Sequence, residues 1–483
     1  MQAANKYDAV IGLEVHAQLN TLSKVFSDDP NSFGTEPNQN VSVISLGHPG
    51  SLPKLNAKVI EYAIKLGLAT ESRISPTVSF ARKNYFYTDL PKGYQISQHE
   101  SPICEKGHVT IRIGGKEKTI RLTRIHIEED AGKSLHDRKP ESSLIDLNRA
   151  GVPLLEIVTE PDLQSAEEAQ AYLGEIRRLL RYLEICDGNM EEGSMRCDAN
   201  VSVKEKNQTE LGTRTEIKNL NSISNVRKAI EYEINRQIKI IENGDKVIQE
   251  TVSYDDQKGL TFPLRSKEEA DDYRYFPEPD LNPLEIPAEM ISRIREKLPS
   301  LPNELYQNFT EKFKLGQWEA EALIESASVA GYFNKLAQKT EPKTAANWIL
   351  GPVKSWMNEN NAEIGEFPLD TAKLEELIRI TEEGLISYTA AQQRLFPALI
   401  SKPGSEPEEL AREMDLLKES GENIIMKHVE YALDKYPDKI MEYHKGKKGL
   451  LGLFMGEVMK ISKGKVDPAL ANKLILEELQ KRK

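Results

Sequence analysis

The sequence predicts an α+β protein: a mixed α/β body built on antiparallel strands, then an all-helical middle domain, then a small helical tail. Three observations carry this. The first 275 or so residues mix period-two and helical patterns. Four prolines stand in the eleven residues from Pro277 to Pro287, a density that removes backbone donors and marks a domain boundary. Beyond them the pattern is almost wholly helical, broken once more at Pro403–Pro407. The expected domains are 1–287, 288–404 and 405–483.

The elements follow in order. From Val10 to Leu19, Ile11, Leu13, Val15, Ala17 and Leu19 alternate with Gly12, Glu14, His16 and Gln18, a half-buried strand. His108 to Ile127 reads as a hairpin turning at Gly114-Gly115. Its apolar phase slips between Leu122 and Ile125, which predicts a bulge. Ser165-Ala166-Glu167-Glu168 is a capping box, and Ala169, Tyr172, Leu173, Ile176, Leu179, Leu180 and Leu183 form the helical stripe behind it. Met195–Val203 and Thr213–Lys218 alternate again as strands. A helix from about Asn225 carries Val226, Ile230, Ile234 and Ile238 and ends near Gly244.

Composition narrows the function. There is no run of about 18 apolar residues to span a membrane. The N-terminal residues carry neither a signal-peptide core nor an Arg-rich transit pattern, so a cytoplasmic protein is expected. Three cysteines, Cys104, Cys186 and Cys197, with no CxxC, exclude a disulfide framework and a cysteine zinc site. Cys197 falls on the apolar face of its strand and reads as packed. No serine or N-terminal nucleophile has the flanking residues that amide hydrolysis needs. The net charge of −12 disfavours nucleic acid only as an average. Residues 441–483 hold ten Lys or Arg against five Asp or Glu, so a basic tail is attached to a more acidic body. Lys460, Lys463 and Lys465 are there to meet a phosphate backbone.

Candidate chemistry gathers in the body. On a strand, residues i and i+2 share a face, so Glu14 and His16 stand side by side; alone, that is also the pattern of a solvated face. Glu128-Glu129-Asp130 follows an apolar strand, and carboxylates this close call for a counter-ion, for which a hard divalent cation such as Mg²⁺ is the natural choice. Gly132-Lys133-Ser134 is not the end of a phosphate loop, because Ile127 stands where that loop needs glycine. Asp198 and Glu216 lie on the polar faces of two strands that can pair. A cross-strand charge ladder is the alternative reading there. Arg82-Lys83-Asn84-Tyr85-Phe86-Tyr87 and Asp271–Pro277 combine charge with aromatics. Six of the eight histidines, His136 among them, fall in the first 140 residues.

Taken together, these motifs resemble one family. They are Val10-Ile11-Gly12-Leu13-Glu14-Val15-His16, Arg82–Tyr87, His126–Lys133, Asp146–Arg149, Pro153–Val158, Met190–Asn200, Glu216–Ser222, Asp272–Asp280 and Gly452–Gly456. In this order and over essentially the whole chain they are similar to the B subunit of the aspartyl/glutamyl-tRNA amidotransferase. The resemblance implies that ATP activates the side-chain carboxylate of Glu-tRNA(Gln) or Asp-tRNA(Asn) as an acyl phosphate, which ammonia then converts to the amide. It implies a Mg²⁺ site drawn from Glu14, His16, Glu128, Glu129, Asp198 and Glu216, with Glu128, Glu129 and Lys83 in catalytic roles. Lys83 and Glu129 would stand at the exit of an ammonia path. Glutamine would be hydrolysed on an amidase-type A subunit, docked with a small C subunit. Many members of the family hold zinc with four cysteines. The matching positions here are Ser27, Asp29, Ser42 and Ser45, poor zinc ligands. The expectation is therefore no structural zinc and a loop held by packing through Pro49-Gly50-Ser51-Leu52-Pro53.

Two rival readings remain from the sequence: a catalytically silent tRNA-binding scaffold, and a self-sufficient carboxylate–amine ligase using free ammonia.

Overall fold

The structure, a computed structural model, describes residues 6–135, 143–266, 273–417, 422–462 and 464–482. His136, Asp271, Asp272 and the candidate RNA contact Lys463 lie outside the described residues. The chain divides into two compact units, Met1–Leu305 and Tyr306–Lys483. The proline-rich segment belongs to the first. Phe276–Pro277 pairs with Arg82 and Ala81, and Leu284–Glu285 pairs with Val78 and Thr77. Pro277 sits on a short edge strand, where the missing donor costs nothing, and Pro287 stands just before the helix Ala288–Arg295.

The first unit is built on a sheet of thirteen strands among the described residues. Those that matter here are β1 (Tyr7–Gln18), β2 (Ala81–Asn84), β3 (Tyr94–Ser97), β4 (His108–Ile113), β5 (Lys116–Glu129), β6 (Pro153–Thr159), β7 (Met195–Glu205), β8 (Thr215–Leu220), β9 (Glu250–Asp255) and β10 (Leu260–Ser266). Their order across the sheet is β10-β9-β8-β7-β1-β6-β5-β3-β2, with β4 off that path, paired to β5. β1 is central, antiparallel to both β6 and β7. Only β8 and β9, among these pairs, run parallel.

Alternation sorts the two faces. Ile11, Leu13, Val15 and Ala17 of β1, Ile125 and Ile127 of β5, Leu155 and Ile157 of β6 and Ala199 and Val201 of β7 are all buried in one core with α1 (Ala57–Ala69), α2 (Ala166–Tyr182) and α3 (Ile223–Glu242). Burying each large aliphatic side chain is worth about 1.5–3 kcal/mol, which fixes the strand register. A slip of one residue would drive Glu14 and His16 into this core. The other face is thereby left to the polar residues.

Local signals behave as the residues dictate. Gly114 and Gly115 both adopt positive φ in the β4–β5 turn, the requirement of a two-residue hairpin loop. The phase slip is a bulge. Val158 faces Arg124 but Thr159 faces Leu122, so Thr123 is the extra residue. Ser165 caps α2 by accepting from the Glu168 amide at 3.1 Å. α3 starts at Ile223, two residues before its expected start, because the Ser222 hydroxyl accepts from the Asn225 amide at 3.0 Å.

The second unit is helical. α4 (Thr371–Glu382) is capped by Asp370, which accepts from the Lys373 amide at 2.9 Å. α5 (Glu422–Asp434), α6 (Leu451–Ile461) and α7 (Pro468–Lys481) pack Ile425, Val429, Leu433, Phe454, Val458, Leu474 and Ile475 into a core of their own.

Candidate active site

The polar face of the sheet places its chemistry by register alone. His16 of β1 lies opposite Glu156 of β6 on one side and Arg196 of β7 on the other. Glu156 lies opposite His126 of β5, and Glu128 is two residues along from His126 on the same face. The result is a tight group. His16 Nε2 is 3.2 Å from Glu156 and 3.5 Å from Glu128, and His126 Nε2 is 3.4 Å from Glu156 and 3.7 Å from Glu128. Burial disfavours a charged His16, but the two carboxylates outweigh it and raise its pKa to about 9. Burial likewise opposes charge on Glu156, yet His126, His16 and Lys83 hold it well below the usual carboxylate range.

Beside this group lies a cavity of about 400 Å³, lined by His16, Lys83, Tyr85, Glu128, Arg196 and Lys218 among others. Its cations have identifiable supports. Lys83 stands with its ammonium 4.7 Å from the centre of the Tyr273 ring, a cation–π contact. Arg82, next to it, holds Glu278 in a fork at 2.7 and 2.8 Å and reaches Asp280 at 3.1 Å. That fork pins the segment carrying Tyr273 against β2. Arg196 donates to Asp130 at 2.7 Å. Burial acts against charge on both Lys83 and Arg196, and the neighbouring carboxylates win, raising both pKa values.

The sequence candidates separate here. Glu14 and His16 share the face as expected. Glu14 accepts from Asn200 at 3.0 Å, and burial, then Glu156, Asp198 and Glu216, raise its pKa. Asp198 and Glu216 are also on this face, but Lys218 bridges them at 2.6 and 3.0 Å. They form the cross-strand ladder that was the alternative reading. Glu129 is not with Glu128. Adjacent strand residues point to opposite faces, and Glu129 accepts from the Lys92 ammonium and from the Ile96 amide at 2.8 Å. Glu129 as a ligand beside Glu128 is therefore corrected.

The compact donor set is His16, Glu128 and Glu156, whose ligand atoms all lie within 4.8 Å of one another. Two hard oxygen donors and one imidazole fit a divalent cation. Sequence reasoning placed His126 at the head of the acidic run but gave it no role, and it gave none to Glu156. The available signal was one acid between Leu155 and Ile157 in an otherwise apolar strand.

In the basic tail, Lys460 is exposed in the last turn of α6. Lys465 instead pairs with Asp415 and is largely shielded from solvent, so it does not offer a free charge. At the N-terminal loop, Ser27, Asp29, Ser42 and Ser45 do come together, as a hydrogen-bonded knot. One Asp29 oxygen accepts from the Ser27 hydroxyl, the Ser42 hydroxyl and the Ser42 amide, each at 3.0 Å, and from Ser45. Burial would raise the Asp29 pKa, and these donors lower it. This knot is a hold on the loop beyond the expected packing through Pro49–Pro53.

A sheet whose polar face sets paired carboxylates and imidazoles beside lysine and arginine is the architecture of a catalytic domain. Residues 9–292 match the GatB/GatE catalytic domain family, and residues 331–479 match the GatB domain family. The chain is 47% identical over 476 residues to the B subunit of the aspartyl/glutamyl-tRNA(Asn/Gln) amidotransferase of Thermodesulfovibrio yellowstonii, covering 98% of this chain and 100% of that one. It is 49% identical to the protein of the same name from Geotalea uraniireducens, over 98% and 99% of the two chains. The figure for the Thermoanaerobacter pseudethanolicus protein of that name is 45%, over 99% and 100%. The chain belongs to the family of aspartyl/glutamyl-tRNA(Asn/Gln) amidotransferase B subunits. Among the described residues no helix is long and apolar enough to cross a membrane.

Proposed function

We propose that this chain is the component that activates and amidates the side-chain carboxylate of Glu-tRNA(Gln), Asp-tRNA(Asn) or both. The observation that carries the reading is the grouping of His16, Glu128 and Glu156 beside Lys83 and Arg196 on one sheet face. In the first step a substrate carboxylate oxygen bonds to the terminal phosphorus of ATP, and the bond to the bridging oxygen of ADP breaks. In the second, the ammonia lone pair bonds to the acyl carbon, the carbon–oxygen bond to phosphate breaks, and the released proton leaves with the phosphate. Both steps crowd anions together, so charge must be offset in place.

Lys83 and Arg196 supply fixed positive charge at the cavity wall. The Tyr273 ring and the Arg82–Glu278 fork keep Lys83 aimed there. His16, Glu128 and Glu156 would hold Mg²⁺, which when bound neutralises phosphoryl oxygens and orients them. Ammonia comes from glutamine hydrolysed on an amidase-type A subunit, with a small C subunit completing a cytoplasmic heterotrimer. The Asp29 knot serves in place of a structural zinc. The basic tail, with Lys460, holds the tRNA.

Reconstitution with the A and C subunits, then assay of both mischarged tRNAs with ATP and glutamine, tests the reading. Glu128→Ala should abolish ATP-dependent amide formation. If that variant keeps full activity, the chain is a silent scaffold. Amidation of a free amino acid without tRNA or partners would instead mark a self-sufficient ligase.

A further inference from the structure

A second cavity, of about 360 Å³, shares Arg149 with the first. Gln18 also lines it and donates to Asp130, a wall of the first cavity, at 3.0 Å. The two spaces are therefore neighbours on the same polar face. Nothing in the proposed chemistry has used the second.

Its unusual wall is Phe33. The ring is 78% exposed, and an aromatic of that size gains free energy by leaving water. A floppy loop could fold such a ring away. This loop cannot. The Asn31 side-chain amide donates to the Leu19 carbonyl at 2.8 Å. The Asn40 amide donates to the Ser32 carbonyl at 3.2 Å and to Thr35 at 3.1 Å, and Asn148 also donates to Thr35, at 3.1 Å. Chain on both sides of Phe33 is thus fixed, and the ring is presented to the cavity. Around it stand polar groups suited to a nucleoside. Exposed Glu192 is an acceptor for ribose hydroxyls, and exposed Lys133 is a donor for phosphate. Arg149, half-buried, is held in the wall by the Ala131 and Gly132 carbonyls at 3.0 and 2.6 Å and adds positive charge there.

We propose that this cavity is an adenosine subsite, in which a purine stacks on Phe33 and the attached reactive group extends past Arg149 to His16 and Glu128. The proposal rests on the function proposed above. In that reaction adenosine has two sources: ATP, and the 3′-terminal adenosine of the aminoacyl-tRNA. Both carry their reacting group at the sugar end, as this placement requires.

The test is Phe33→Ala in the reconstituted heterotrimer, with KM measured separately for ATP and for mischarged tRNA. Loss of one base–aromatic stack raises KM by about 5- to 160-fold, and Phe33→Trp restores it. A rise for ATP alone assigns the subsite to the nucleotide, and a rise for tRNA alone assigns it to the terminal adenosine. Leu22→Ala is the control, since Leu22 is 97% exposed and does not line the cavity. Both KM values within twofold of wild type would overturn the subsite. So would a loss of heterotrimer assembly in Phe33→Ala, which would make Phe33 a docking residue.

A binding-only measurement stands beside the kinetics. The Phe33→Trp indole is added to three native tryptophans, Trp318, Trp348 and Trp356, all in the second unit. ADP or a cytidine-cytidine-adenosine trinucleotide should quench it, and an indole that responds to neither overturns the proposal. A wild-type complex that makes no amide from ATP and tRNA would sink the proposed function instead.

Discussion

Two carboxylates of the first unit, Asp29 and Glu156, are both withdrawn from water, and they are satisfied in opposite ways. Asp29 takes hydrogen bonds from three serine hydroxyls and one main-chain amide of its own loop. None of these donors carries a charge or can be exchanged without unfolding the loop. Glu156 faces two imidazoles and, at longer range, Lys83. Two of them, His16 and Lys83, border an open cavity. The first arrangement is complete in itself and therefore structural. The second is balanced by groups that a cation or a substrate can replace, which makes it a site. Two lysines repeat the contrast. Lys24 is fully buried and donates to the main-chain oxygens of Asn40 at 2.6 Å and Leu147 at 3.4 Å, whereas Lys83 lines the cavity.

The largest expected effect falls on the open side. Glu156→Ala should lower amide formation by about 100-fold or more, with a raised requirement for divalent cation and a melting temperature close to wild type. Activity within threefold of wild type would place Glu156 on the structural side of the comparison.

The closed side should respond in stability. The pKa of Lys24 is depressed from 10.5 to about 8 by burial. Below pH 8 the folded protein therefore carries the full cost of a buried charge. Between 8 and 10.5 the unfolded chain binds more protons than the folded one, so stability rises with pH. The unfolding free energy of wild type minus that of Lys24→Met should climb by about 3 kcal/mol across this window. A flat difference in denaturant titrations would show that Lys24 is not the buried charge described.

Asp29→Ala should cost about 2 kcal/mol by leaving buried hydroxyls and an amide without an acceptor. Chemical denaturation measures this, and an unchanged midpoint would remove the knot from the structural class. The smallest effects are at the tail. Lys460→Ala should weaken tRNA binding and reduce the salt slope by about one. Lys465→Ala, already paired with Asp415, should leave that slope unchanged. Equal effects of the two would erase the distinction between a paired and an open lysine.

Much of this was legible in the residues. The period-two pattern put Glu14 and His16 on one face. The double glycine placed the hairpin turn, and the phase slip placed the bulge at Thr123. What stayed hidden was pairing between distant strands. Glu156 becomes a site residue only because β6 lies between β1 and β5, an adjacency that no local pattern encodes. The ladder of Asp198, Glu216 and Lys218, by contrast, was legible, because its two strands are near in sequence and their alternation puts all three on one face. Glu128 and Glu129 are different. The alternation that joined residues 14 and 16 also separates 128 from 129, so that error came from reading an acidic run as one cluster.

The Asp29 knot has a consequence for the conditions the protein tolerates. A loop clipped by thiolates around a metal depends on trace-element supply and is open to peroxide and to chelators. A carboxylate ringed by hydroxyls has no sulfur to oxidise. This corner of the scaffold, from which the Phe33 loop is hung, is chemically inert where a thiolate clip would be perishable.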